Sequence, residues 1–92
     1  MITKMHSISI VEISKRTGVS EETLSNYIER NWISPTLENG HERKFDEEDL
    51  ARIQLILDLT RDFGVNDESI PIILHLVDQI HFLRNRFRDH LA

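Results

Sequence analysis

The chain has 92 residues, of which 39% are hydrophobic and 29% charged, with a formal net charge of −5 and no cysteine. That composition excludes a disordered chain, a disulfide scaffold and any thiolate zinc or cysteine-nucleophile chemistry, and the length allows one modest core. The acidic balance has the opposite sign to that of most nucleic-acid binders, and it is unevenly placed: residues 1–45 hold six acids and six bases, residues 46–92 ten acids and five bases.

The N-terminus carries no long apolar run of the signal-peptide kind, and no segment approaches the roughly 20 apolar residues of a membrane span, so a cytoplasmic protein is expected. Ser9 followed by Glu12 is a capping pattern that predicts a short helix from Ile10 to Thr17. Ile10, Val11 and Ile13 would face the core, and Gly18 would supply a left-handed exit. Ser20 then caps a second helix with Leu24, Tyr27 and Ile28 on its apolar side, and Trp32 and Ile33 continue the core beyond it.

Pro35 stops helix formation, and Asn39-Gly40 is a strong two-residue hairpin signal. A small β-wing is expected, with arms near Thr36–Leu37 and Glu42–Phe45 and with Leu37 or Phe45 as its anchor. Asp46 caps a third helix whose first turn carries Glu47, Glu48 and Asp49, where the helix dipole favours negative charge. Its expected core stripe is Leu50, Ile53, Leu57 and Phe63, with Ile56 beside it and Gly64 at the end.

Asn66 or Asp67 precedes a fourth helix, and Pro71 restricts its start to a strained turn at Asp67 or a regular one at about Ile70. Ile70 to Val77 is apolar on nearly every face, which predicts burial from several sides. Ile73, Val77, Ile80, Leu83 and Phe87 then form a stripe with too little body to cover it, so a homodimer through this helix is expected. The chain divides into a body, 1–69, and a C-terminal helix, 70–92. The fold class is mainly α: a winged helix-turn-helix body with a small β-hairpin wing and a long C-terminal helix.

Nothing in the sequence suggests catalysis or a cofactor. His6, His41, His75, His81 and His90 are scattered, and only His75 with Asp78, or Asp78 with His81, has a helical spacing suited to a shared ligand.

Ser20, Thr23-Leu24, Tyr27, Glu29-Arg30 and Ile33, then the wing, then Phe45 to Leu50 opening the next helix, resemble the MerR-like winged helix-turn-helix family. The resemblance implies a DNA-reading helix and wing, and carries DNA contacts onto Arg16, Asn26, Arg30, Arg43 and Lys44. Where that family carries an arginine and two aromatics after Thr-Leu, this chain has Ser25, Asn26 and Tyr27. Where its wing has a tyrosine followed by bases, this chain has Glu42, Arg43 and Lys44.

Over its full length, and most of all in the segment Ile70 to Ile80, the chain also resembles the chaperone-modulatory CbpM-like proteins. That resemblance implies binding to the J-domain of a CbpA/DnaJ-type co-chaperone and inhibition by blocking DnaK access. The resemblance further implies a basic helix on the J-domain as the surface to be met, so acidic residues are the expected contacts: Asp58, Asp62, Asp67, Glu68 and Asp78. DNA regulation is the alternative.

Overall fold

The computed structural model describes residues 7–40 and 42–91, with the side chains of 89–91 outside that description. The elements run β1 (Ile8–Ser9), α1 (Ile10–Thr17), α2 (Glu21–Glu29), β2 (Thr36–Glu38), β3 (Glu42–Phe45), α3 (Glu47–Leu57), a π turn (Asp58–Asp62) and α4 (Ile70–Leu91).

Local chemistry sets most of the boundaries. The Ser9 hydroxyl accepts from the Glu12 amide, and the Ser20 hydroxyl accepts from the Thr23 amide, each satisfying one orphan N–H of a first turn. Gly18 closes α1 at φ 76°, a left-handed position that a side chain would strain. Asp46 and Asp49 exchange side-chain and backbone hydrogen bonds of 2.8 and 3.0 Å, a reciprocal cap at the start of α3. Asn39 at φ 57° and Gly40 at φ 80° are both left-handed, and with Glu38 opposite Glu42 three positions, 39–41, separate the paired residues, one more than the two-residue hairpin expected. At α4 the choice falls on Ile70, with Asn66 Oδ1 accepting from the Ser69 amide just before it.

The wing is larger than the hairpin expected. β1 joins it, giving a three-stranded antiparallel sheet of order β1-β3-β2, with Ile8 opposite Phe45 and Ser9 opposite Lys44. Phe45, 1% exposed, is the anchor of the wing, while Leu37 is 54% exposed. Glu38 faces Glu42 across β2 and β3, a like-charge pair, and Lys44 Nζ sits 4.0 Å from one and 3.7 Å from the other.

One core unites the domain. Ile13, Leu24, Trp32, Ile33, Phe45, Ile53, Ile56 and Ile70 are among its buried members, and Leu74 brings in the second turn of α4.

Three expectations are corrected. Val11 is half exposed, because only Ile10 and Ile13 of α1 turn inward. Ile72 and Leu76 are exposed, because α4 commits only Ile70 and Leu74 to the core, with Ile73 and Val77 half-buried. Phe63 leaves the α3 stripe altogether. The Thr60 hydroxyl donates to the Ile56 carbonyl and lies 3.3 Å from that of Leu57, and the chain responds with a π turn in which the Phe63 amide bonds to the Asp58 carbonyl five residues back. The additional residue in that turn shifts the helical phase, so Phe63 points to solvent, and Leu59 and Val65 pack against the core instead.

Candidate functional site

Two surfaces carry the residues singled out by sequence: the cationic face of α2 and the wing, and an acidic region running from the π turn to α4.

The cationic face is largely neutralised by the chain itself. Arg16 Nε is 3.0 Å from Glu12, and its guanidinium reaches Glu47 at 3.9 Å. Arg30 Nη1 donates to Asp67 Oδ2 at 2.8 Å, and its guanidinium lies 5.1 Å from the Trp32 ring centroid, a cation–π contact. Lys44 is held over the Glu38–Glu42 pair. Arg43, and Lys15 on α1, make no ion pair with a described residue, and both are exposed. Asn26 is exposed on α2 and lines a cavity of about 240 Å³ with Tyr27, Arg30, Thr60 and Asp67. Burial pushes the Tyr27 hydroxyl pKa up, and the nearby Asp67 adds to the rise while Arg61 opposes it.

The acidic residues do not act as one group. Asp67 is committed to Arg30. Asp78 is bound by both Nη atoms of Arg52, at 2.7 and 3.2 Å, and this hydrogen bonding holds its carboxyl below the usual carboxylate range. The same Arg52 donates Nε to the Trp32 carbonyl, so it ties α3 to both α4 and the segment that follows α2. Sequence reasoning misses Arg52, since its partners lie 20 and 26 positions away. Asp58, Asp62 and Glu68 make no ion pair with a described residue; Asp62 and Glu68 are exposed and Asp58 is half-buried.

Beside Asp78 a groove of about 490 Å³ runs between α3 and α4, with Ala51, Leu55 and Val77 as apolar lining and Glu48, Asp49 and His81 on its edges. Asp49 titrates above the ordinary carboxylate range, chiefly because it is desolvated.

Along α4, Ile73 and Val77 are half-buried, whereas Ile80, Leu83 and Phe87 are 52%, 60% and 65% exposed. Leu76 belongs with the exposed set, and Ile73, Leu76, Ile80, Leu83 and Phe87 keep a heptad spacing.

His75 contacts Gln79 at 3.3 Å, and Asp78 belongs to Arg52, so the histidine–aspartate spacing makes no shared ligand pair. Among the described residues no group of three or more His, Asp or Glu side chains could hold a metal ion. His6 and His41 lie outside the described residues, as does the His90 side chain. No helix among the described residues is long and apolar enough to cross a membrane.

Comparison with known proteins bears on this frame. A structure described as HiNmlR, a MerR family regulator lacking the sensor domain and bound to promoter DNA, superposes with a TM-score of 0.69 at 18% identity, covering 91% of this chain and 67% of that one. At that identity the likeness is one of fold. No curated protein matches the chain in sequence. The family model for MerR HTH family regulatory proteins matches residues 8–89, nearly the whole chain. The chain therefore belongs to the MerR HTH family of regulatory proteins.

Proposed function

We propose that the chain is a regulatory binding protein that engages the J-domain of a CbpA/DnaJ-type co-chaperone and inhibits it by blocking DnaK access. The observation that carries this reading is the fate of the cations on the reader face. Arg16, Arg30 and Lys44 each rest against the chain's own carboxylates. Duplex binding needs several such groups free for phosphate, because counterion release supplies most of its affinity. Asp58, Asp62 and Glu68 suit a basic protein surface, where complementary charge steers encounter and selects partners. Asp67 and Asp78 would join them only by giving up Arg30 and Arg52.

The protomer is proposed to work as a cytoplasmic homodimer joined through the helix at 70–92, with residues 1–69 as the partner-binding body. Ile80, Leu83 and Phe87 support this, since they form an apolar stripe with nothing over it among the described residues.

Sequence-specific DNA binding is the second reading. The fold neighbour bound to promoter DNA favours it, as does Arg43 on the wing, which makes no ion pair with a described residue. A pull-down from lysate with nuclease present separates the two. Retention of a DnaJ-type protein is expected. Tight, salt-sensitive binding of the purified chain to duplex DNA, with no affinity for a J-domain, would overturn the proposal.

A further inference from the structure

Phe63 is 75% exposed, more than any other large apolar side chain exposed on the described surface. Its position is not that of a frayed end. The Phe63 amide bonds to the Asp58 carbonyl at 3.2 Å, the Val65 amide bonds to the Leu59 carbonyl at 2.9 Å, and Gly64 between them takes φ 65°. Leu59 and Val65 pack on the core on either side of it. A closed turn, pinned at both ends, thus holds the ring out in water.

The other strongly exposed apolar groups near the C-terminus lie along α4, where a second copy of the chain would cover them. Phe63 lies outside that stripe, on a different element, so self-association through α4 leaves it unexplained. Its setting is acidic: residues 58–68 hold Asp58, Asp62, Asp67 and Glu68 against Arg61 alone. Phosphate is repelled by such a segment, whereas a basic protein surface is attracted to it.

We propose that Phe63 is the apolar anchor of a protein-docking surface, entering an apolar cup rimmed by lysine or arginine on the partner, with Asp58, Asp62 and Glu68 facing that rim. A single aromatic seated centrally and ringed by polar contacts is the usual form of an interface hot spot. The π turn is what makes the anchor: it turns a residue at a core spacing out to the surface and fixes it there. The partner's identity rests on the co-chaperone reading; the anchor and its charge requirement are the further step.

Isothermal titration calorimetry of the full chain against a purified J-domain tests both. Phe63→Ala is expected to weaken binding by about 30-fold or more, with an unchanged melting temperature, and Phe63→Leu to recover most of the loss. Equal binding by wild type and Phe63→Ala would overturn the anchor and leave the co-chaperone reading standing. Loss of helical signal in Phe63→Ala, or weaker self-association in sedimentation with J-domain binding intact, would also overturn it. A folded wild-type chain that does not bind the J-domain removes the co-chaperone reading and the anchor with it.

Discussion

Arg30 and Asp67, 37 residues apart in sequence, hold each other at 2.8 Å across the gap between the reader helix and the turn before α4. One is the residue a DNA contact would need; the other is the residue a basic protein partner would need. Each is half to two-thirds exposed, so the pair adds only about 0.2–1 kcal/mol to stability. Its larger effect is on availability. Asp67→Asn is expected to leave the fold intact and raise affinity for nonspecific duplex DNA about 2- to 5-fold at low salt, by releasing Arg30. Arg30→Gln is expected to raise affinity for a basic J-domain by a similar factor. Fluorescence anisotropy on the two variants checks both, and no change in either would mean that the pair does not regulate access.

Charge reversal of Asp58 and Asp62 addresses the proposed partner directly. The double change to Lys is expected to lower J-domain affinity roughly 10-fold at low ionic strength, mainly through slower association. The difference should shrink as salt shortens the Debye length to about 3 Å at 1 M. Reversal of Arg43 and Lys44 on the wing should leave that affinity unchanged. Stopped-flow association rates at several salt concentrations make the comparison. A larger loss from the wing pair than from the aspartates would place the J-domain contact on the wing rather than on the acidic segment.

How far the sequence reveals this arrangement depends on how local each cause is. Ser9, Ser20 and Asp46 act within three residues, and Gly18 and the Asn39-Gly40 turn act through their own φ angles; all are legible in order along the chain. β1 is not, because Ile8 and Ser9 form a strand only two residues long and gain strand geometry from Phe45 and Lys44 far along the chain. Phe63 fits a regular helical stripe, and only the Thr60 hydroxyl, competing for the carbonyls of Ile56 and Leu57, hints that the helix changes pitch. The acidic residues are legible as residues but not as a site. Whether a carboxylate is available or already paired is a long-range fact, set by Arg30 for Asp67 and by Arg52 for Asp78.

The Arg52–Asp78 pair gives a pH signature. The Asp78 carboxyl titrates below its ordinary value because Arg52 hydrogen-bonds the charged form. Its stabilising contribution is therefore complete above the unfolded carboxylate pKa, near about 4, and fades as pH falls through the lower folded value. Asp78 is 53% exposed, so the contribution is about 0.5 kcal/mol. Asp78→Asn should melt slightly below wild type at pH 7, and the gap should close at acid pH. Asp49, raised by burial, acts in the opposite sense, favouring the folded state as pH falls. It is common to both proteins, so it drops out of the difference. Thermal melts of the two proteins between about pH 2 and 7 test the pair; a gap that persists at the acid end would show that the Asp78→Asn change costs stability through packing rather than through charge.

α4 divides between residues buried in the body and residues left exposed. Ile70 and Leu74 are buried in the domain core and Val77 is half-buried, while Leu76, Ile80, Leu83 and Phe87 face outward at heptad spacing. If those outer residues form a helix–helix seam, Leu83→Glu puts a charge in an apolar interface and is expected to give a folded monomer. Leu76→Ala should weaken self-association more than Leu74→Ala does. Leu74→Ala should instead lower the melting temperature, because it empties a side chain buried in the domain core. Sedimentation equilibrium and circular dichroism on the three variants resolve the two effects. If Leu83→Glu sediments as wild type does, the stripe is not a seam, and its exposed apolar area would need another partner.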